Sequence, residues 1–288
     1  MKEIVVVSGK GGTGKTTITA GFAFLEKNKV MTDCDVDAAD LHLLLLPEIK
    51  KKEEFISGKT AVIKNDKCFK CGQCEAVCRF GAIKNFKVDH IACEGCGFCF
   101  EICPCDAVIM QDNICGHWFY SDTKYGPMVH AALGAGEENS GRLVSVVRKK
   151  AREVAQELKR EIIITDGPPG MGCAVLSSLT GADIALIVTE PTCSGLHDLE
   201  RIIDVAKKFN LKIFVCINKY DINIKMSENI KERCAKKGVQ VIAEIPFDKK
   251  VVEFLSAGRI IVEDESFEVS KVIKKMWQYL KDQMKEKK

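Results

Sequence analysis

The chain has 288 residues, 46% hydrophobic and 29% charged, with 43 Lys and Arg against 40 Asp and Glu. That balance supports one large folded domain, or one domain carrying a smaller one, and excludes extensive disorder. A net charge of +3 argues against a nucleic-acid platform. No apolar run approaches the roughly 18 residues of a membrane span, and the start reads as a strand and not as a secretory leader. A cytoplasmic protein is therefore expected.

Short Val- and Ile-rich strands alternate with helical stretches, which predicts an α/β fold with a doubly wound, mostly parallel sheet. The first strand, Ile4–Ser8, runs into Gly9-Lys10-Gly11-Gly12-Thr13-Gly14-Lys15-Thr16-Thr17 and then a helix over Ile18–Lys27. This is G-x-x-x-x-G-K-[ST] in its required strand-to-helix context. The glycines turn backbone N–H groups toward phosphate oxygens, Lys15 reaches the β/γ-phosphates and the Thr16 hydroxyl is placed for Mg²⁺. A second strand, Val30–Asp33, opens into the acidic loop Asp33-Cys34-Asp35-Val36-Asp37. After residue 112 the rhythm resumes: a helix at Gly141–Lys159, a strand Glu161–Asp166 ending in Gly167-Pro168-Pro169-Gly170, and a strand Asp183–Thr189. Then come a helix Gly195–Phe209, a strand Lys212–Asn218, a helix Met226–Lys237, a strand Val239–Ile245 and a C-terminal helix from about Ser266.

Residues 58–112 break the pattern. Eight of the 15 cysteines fall between Cys68 and Cys103, as Cys-x2-Cys-x2-Cys-x3-Cys written twice. A shift of 25 residues superposes Cys68, Cys71, Cys74 and Cys78 on Cys93, Cys96, Cys99 and Cys103. This is the bacterial two-cluster ferredoxin arrangement, in which the fourth cysteine of each run serves the other cluster. Cys68, Cys71, Cys74 and Cys103 are assigned to one [4Fe–4S] cluster, and Cys93, Cys96, Cys99 and Cys78 to the other. Zinc knuckles are the competing reading, but they take separated cysteine pairs. Pro104 follows its cysteine as the pattern expects, whereas Arg79 stands in the equivalent place after Cys78. The expected domains are an insert at 58–112 within a sheet domain of 1–57 and 113–288. The seven scattered cysteines, Cys173 among them, read as small buried hydrophobes.

With its second lysine, Lys10, the loop resembles that of the MinD/ParA/nitrogenase-iron-protein class of ATPases. The whole chain resembles members of that superfamily with an inserted ferredoxin domain. The resemblance implies a homodimer sandwiching ATP, with Lys10 reaching the other subunit's nucleotide. It implies that Asp35 positions or deprotonates the attacking water, and that Thr16, Asp35 and Asp166 surround Mg²⁺. It places Asn218 on the adenine edge and Pro246 and Asp248 in the loop over the base. The function implied is ATP hydrolysis coupled to electron transfer to an unidentified redox or iron–sulfur acceptor protein. The alternatives are a cluster-assembly carrier, for which no Cys-x-x-Cys follows Cys103, and a positioning ATPase.

The iron-protein comparison also bears on Cys173. A counterpart cysteine would fall near Glu138-Asn139-Ser140-Gly141-Arg142, where there is none. The aromatic run Cys115–Tyr120 is expected to pack between the two domains. The apolar stripe Val269, Ile273, Met276, Trp277, Leu280 and Met284 is expected to dock on the sheet, so no membrane is expected as a partner. Lys50-Lys51-Lys52 and Lys287-Lys288 read as solvated surface.

Overall fold

The computed structural model describes every residue except 135, 138, 139 and 286–288, so Glu138, Asn139, Lys287 and Lys288 lie outside the described residues. The chain forms two compact units. The first comprises Met1–Lys52, Trp118–Ala132 and Ser140–Lys288, and the second Glu53–His117 with Leu133–Asn139. The second is wider than the 58–112 marked by the repeat, because the strands flanking the cysteine runs extend past it.

In chain order the strands are β1 (Lys2–Ser8), β2 (Lys29–Asp33), β3 (Glu48–Ile63), β4 (Ile83–Lys84), β5 (Lys87–Val88), β6 (Val108–Thr123), β7 (Gly126–Leu133), β8 (Ile162–Pro169), β9 (Ile184–Thr189), β10 (Lys212–Asn218) and β11 (Gln240–Ile245). The large sheet runs β11-β10-β9-β1-β8-β2-β7-β6-β3. From β11 to β7 every neighbouring pair is parallel. In β1, Ile4 and Val6 point to one face and Val5 and Val7 to the other, as the two-residue period of a strand requires. Both faces are covered, so Ile4–Val7 is an unbroken apolar run.

On the first face lie α1 (Lys15–Leu25), contributing Ile18 and Phe22, and α10 (Glu268–Lys285). Val269, Ile273, Met276, Trp277 and Leu280 of α10 are buried, and the Trp277 ring sits 4.9 Å from that of Phe22. The C-terminal stripe therefore docks on the sheet unit. Against the opposite face pack α6 (Cys173–Leu179), α7 (Cys193–Ala206) and α8 (Ile224–Lys236), through residues such as Val175, Leu199, Ile202 and Ile230. Helix α2 (Leu41–Leu45) belongs to the first face, and α5 (Ser140–Glu157), the helix expected at Gly141–Lys159, packs against α6 and β2. No described helix is long and apolar enough to cross a membrane.

Three strands of the large sheet were not expected from the sequence: β3, β6 and β7. Lys50-Lys51-Lys52 is exposed, as expected, yet it lies in β3 and not in a loop. The Lys51 and Lys52 ammonium groups sit 5.5 and 5.9 Å from the ring centres of Trp118 and Phe119. The run Cys115–Tyr120 is part of β6, and Trp118 is buried within the first unit.

The second unit holds the short antiparallel pair β4 and β5 and two four-residue helices, α3 (Gln73–Ala76) and α4 (Phe98–Glu101). The helices lie 25 residues apart, and each follows a left-handed glycine, Gly72 (φ 82°) or Gly97 (φ 77°). Its apolar cluster is small: Ala61, Cys74, Ile83 and Val108 are buried, with cysteines packed around them.

Candidate nucleotide site and cysteine cavities

Strand order assembles the first site. β8 lies between β1 and β2, with Asp166 level with Val6 on one side and Asp33 on the other. The glycine loop leaving β1 and the acidic loop leaving β2 are thereby gathered at the carboxyl edge of the sheet, where ligands of open α/β sheets bind. Gly14 caps α1 with a left-handed φ of 87°. A Cβ there would fall 2.3 Å from Asn218 Nδ2, so only glycine fits.

Lys15 Nζ lies 3.3 Å from Asp166 Oδ1 and 3.5 Å from Asp35 Oδ2. The Thr16 hydroxyl donates to Asp166 Oδ2 at 2.8 Å, and the Thr19 hydroxyl, one helical turn on, lies 3.1 Å from Asp166 Oδ1. Asp33 is fully buried and accepts the N–H groups of Asp35 (3.0 Å) and Leu41 (3.2 Å), which fixes the acidic loop. Burial works against the charge on Lys15, but Asp166, Asp35 and Asp33 outweigh it and raise its pKa. Burial, reinforced by Asp166, pushes Asp33 well above the usual carboxylate range. Burial also raises Asp35, against the pull of Lys15.

Lys15, Thr16 and Asp35 open onto a cavity of about 420 Å³ lined by Gly11–Ile18, Asp35, Pro169, Asn218 and Ile245–Asp248, a volume in the range of small-ligand sites, while Asp33, Thr19 and Asp166 are buried behind that lining. Thr13 Oγ1 is buried there without a protein partner. Asn218 lines the wall but donates its amide to the Thr13 carbonyl at 2.8 Å and accepts from Lys219 N–H at 3.0 Å. Pro246 lines the cavity too, and Asp248 caps α9 (Lys249–Ser256) by accepting from Lys250 N–H at 2.9 Å.

Gly9 and Lys10 stand outside the lining. Gly9 is pressed against Asp198, whose Cβ would lie 2.3 Å from an added Cβ. Lys10 Nζ, partly exposed, lies 3.9 Å from Glu190 Oε2 and 3.3 Å from Ser194 Oγ. Glu190 also binds Lys219 at 2.5 Å. Glu190 and Thr19 carry no motif of their own; only the position of Glu190 after a strand end, and of Thr19 one turn after Thr16, could have drawn attention to them.

In the second unit, Cys68, Cys71, Cys74 and Cys103 line one cavity, and Cys78, Cys93, Cys96 and Cys99 line another. Each takes three cysteines from one run and the fourth from the other. Among the described residues, no three His, Cys, Asp or Glu side chains converge closely enough for a single metal ion. Thiolates at about 2.3 Å from one zinc would have to crowd within roughly 4 Å of each other.

Of the scattered cysteines, Cys34, Cys115, Cys216 and Cys234 are buried as expected, and Cys105 is half-buried. Cys173 and Cys193 are exposed, because each opens a helix at the surface.

The family profile of the CobQ/CobB/MinD/ParA nucleotide-binding domain matches residues 4–261. The chain belongs to this family. An uncharacterized protein of Methanocaldococcus jannaschii is 35% identical over 283 residues, 97% of this chain and 96% of the relative. A pyruvate synthase subunit of the same organism, PorD, is 40% identical over 52 residues, 16% of this chain and 60% of that protein. The septum site-determining protein MinD of Pyrococcus horikoshii, solved with Mg-ADP, superposes with a TM-score of 0.62 at 20% identity, over 99% of this chain and 97% of that one. At that identity the structural likeness speaks for the fold. The phosphate loop and most of the 420 Å³ cavity's lining fall within the residues that the family profile matches.

Proposed function

We propose that this protein is a cytoplasmic, Mg²⁺-dependent ATPase carrying two [4Fe–4S] clusters, and that nucleotide state governs one-electron transfer to a partner protein. The observation that carries it is the sorting of eight cysteines into two separate cavities within a chain that also holds the phosphate loop. The all-oxygen donor set of Thr16, Asp35 and Asp166 suits a hard cation, with two buried or half-buried carboxylates, Asp35 and Asp166, beside Lys15. Mg²⁺ bound there would neutralise phosphate charge, and the clusters would supply one-electron chemistry at potentials set by hydrogen bonds, charge and exposure.

The protein's own groups do the remainder. Backbone N–H groups of Gly11–Thr16 cradle the phosphates, and the orphaned Thr13 hydroxyl gains a partner. Lys15 stays protonated, held so by its carboxylate neighbours, and its charge meets the β/γ-phosphates. Asp35, close enough to Lys15 to be oriented by it, aligns the attacking water. Lys10 leaves Glu190 and Ser194 to reach the nucleotide of a second copy in a homodimer. Asn218, Pro246 and Asp248 bound the base.

A positioning role of the MinD kind is the second reading, suggested by the family to which the chain belongs. It gives no work to the cysteine cavities, and the apolar stripe of α10 is already spent on the core. A cluster carrier would instead release its iron to an apo-acceptor. The deciding experiment is iron counting with anaerobic electron paramagnetic resonance of the reduced protein, with and without Mg-ATP. Eight irons per chain and a nucleotide-dependent spectrum are expected; zinc, or a spectrum indifferent to nucleotide, overturns the redox coupling.

A further inference from the structure

The two cysteine cavities are related by a 25-residue shift, yet their surroundings carry opposite charge. Between residues 58 and 88 there are seven Lys or Arg against only Asp66 and Glu75. Between 89 and 112 there are five acids, Asp89, Glu94, Glu101, Asp106 and Asp112, and no Lys or Arg. All twelve of the prevailing charges are exposed. The segregation reaches the cavities themselves. Lys70 is the one charged residue lining the cavity of Cys68, Cys71, Cys74 and Cys103. Glu94 is its counterpart in the cavity of Cys78, Cys93, Cys96 and Cys99.

Packing explains why the lysine is not repeated. Under the shift Lys70 corresponds to Gly95, and both adopt the left-handed backbone, at φ 59° and 63°. A Cβ on Gly95 would lie 2.0 Å from the Lys59 carbonyl oxygen, so no side chain is admitted there. At position 70 a lysine is carried in a conformation that non-glycine residues seldom adopt. The sulfurs differ in the same sense. Cys103 Sγ accepts the Ala107 N–H at 3.3 Å and lies 3.8 Å from the Cys105 thiol, whereas Phe80 stands where the shift would put that thiol.

We propose that Lys70 and Glu94 make the two cluster sites unequal. The first electron supplied by a one-electron reductant resides at the Cys68/Cys71/Cys74/Cys103 site, and the second goes to the site beside Glu94. This rests on the two-cluster reading. Added negative charge is stabilised by a neighbouring ammonium and by donors to sulfur, and opposed by a neighbouring carboxylate. A downhill relay through the unit therefore enters beside Glu94 and leaves beside Lys70, where the basic surface suits an acidic acceptor protein.

The test is an anaerobic redox titration of the full-length, iron-loaded protein, followed by electron paramagnetic resonance, with iron counted in every variant. The wild-type protein shows two distinct one-electron midpoints. Lys70→Glu lowers the higher one by about 59 mV, a tenfold change in the one-electron equilibrium. Glu94→Lys raises the lower one by a similar amount, and the two substitutions together invert the order. Added salt narrows the wild-type gap, because these charges are exposed. Eight irons with both midpoints unmoved, or Lys70→Glu acting on the lower midpoint, overturns the assignment. A protein without iron overturns the two-cluster reading beneath it.

Discussion

The two units solve the problem of holding a site in opposite ways. In the sheet unit the functional groups are positioned by a core: Asp166 sits on a central strand buried on both faces, and Lys15, Thr16 and Thr19 meet it from a helix packed beneath. In the cysteine unit the helices are four residues long and few apolar side chains are buried. A unit that small lacks the buried area to support itself, and cross-linking by a metal group is how such folds usually persist. On the proposed two-cluster reading, the first site is a product of its fold and the second unit's fold is a product of its site.

Removing iron should therefore break the contrast most visibly. Anaerobic chelation is expected to expose residues 53–117 to limited proteolysis while the sheet unit keeps its cooperative thermal transition; simultaneous loss of both would show the units to be interdependent. Next in size, Lys15→Ala should lower ATP turnover by about 100-fold or more, by analogy with the loss of one preorganised charge-stabilising donor. Phosphate release measures it, and iron content should be unchanged. Trp277→Ala should destabilise the sheet unit by roughly 3–5 kcal/mol, the cost of emptying a buried aromatic site, seen in denaturant titration without change in the cluster spectrum.

The smallest effect is a pH dependence confined to the sheet unit. Burial, helped by His42, lowers the His130 pKa to about 4, and its Nε2 pairs with Ser121 Oγ at 2.9 Å. Between about 4 and the ordinary value near 6.5 the unfolded chain binds more protons than the folded one. The contribution is complete above pH 6.5 and is lost as the pH falls toward 4, amounting to up to about 3 kcal/mol. His130→Gln should flatten that slope in pH-dependent unfolding.

The legible parts of this protein were those in which local sequence and local structure coincide. The strands Ile4–Ser8 and Lys212–Asn218 were readable because doubly buried parallel strands are apolar throughout. The strands β3 and β7 were not: β3 begins with a run of charged, exposed residues, which carries no strand period. The Lys10 environment was equally hidden, since Glu190 and Ser194 are 180 and 184 residues away along the chain and meet it only through the order of the strands.

By itself the sequence determined the phosphate loop, the switch of β8 into Gly-Pro-Pro-Gly and the duplicated cysteine spacing, because each depends on backbone freedom and ligand reach within a dozen residues. Only the tertiary structure decided that Asn218 is spent on the Thr13 carbonyl, and that Lys70 lines one cavity and Glu94 the other. Those are facts of long-range packing. They follow from which strands become neighbours and from where a carbonyl such as that of Lys59 leaves no room for a side chain.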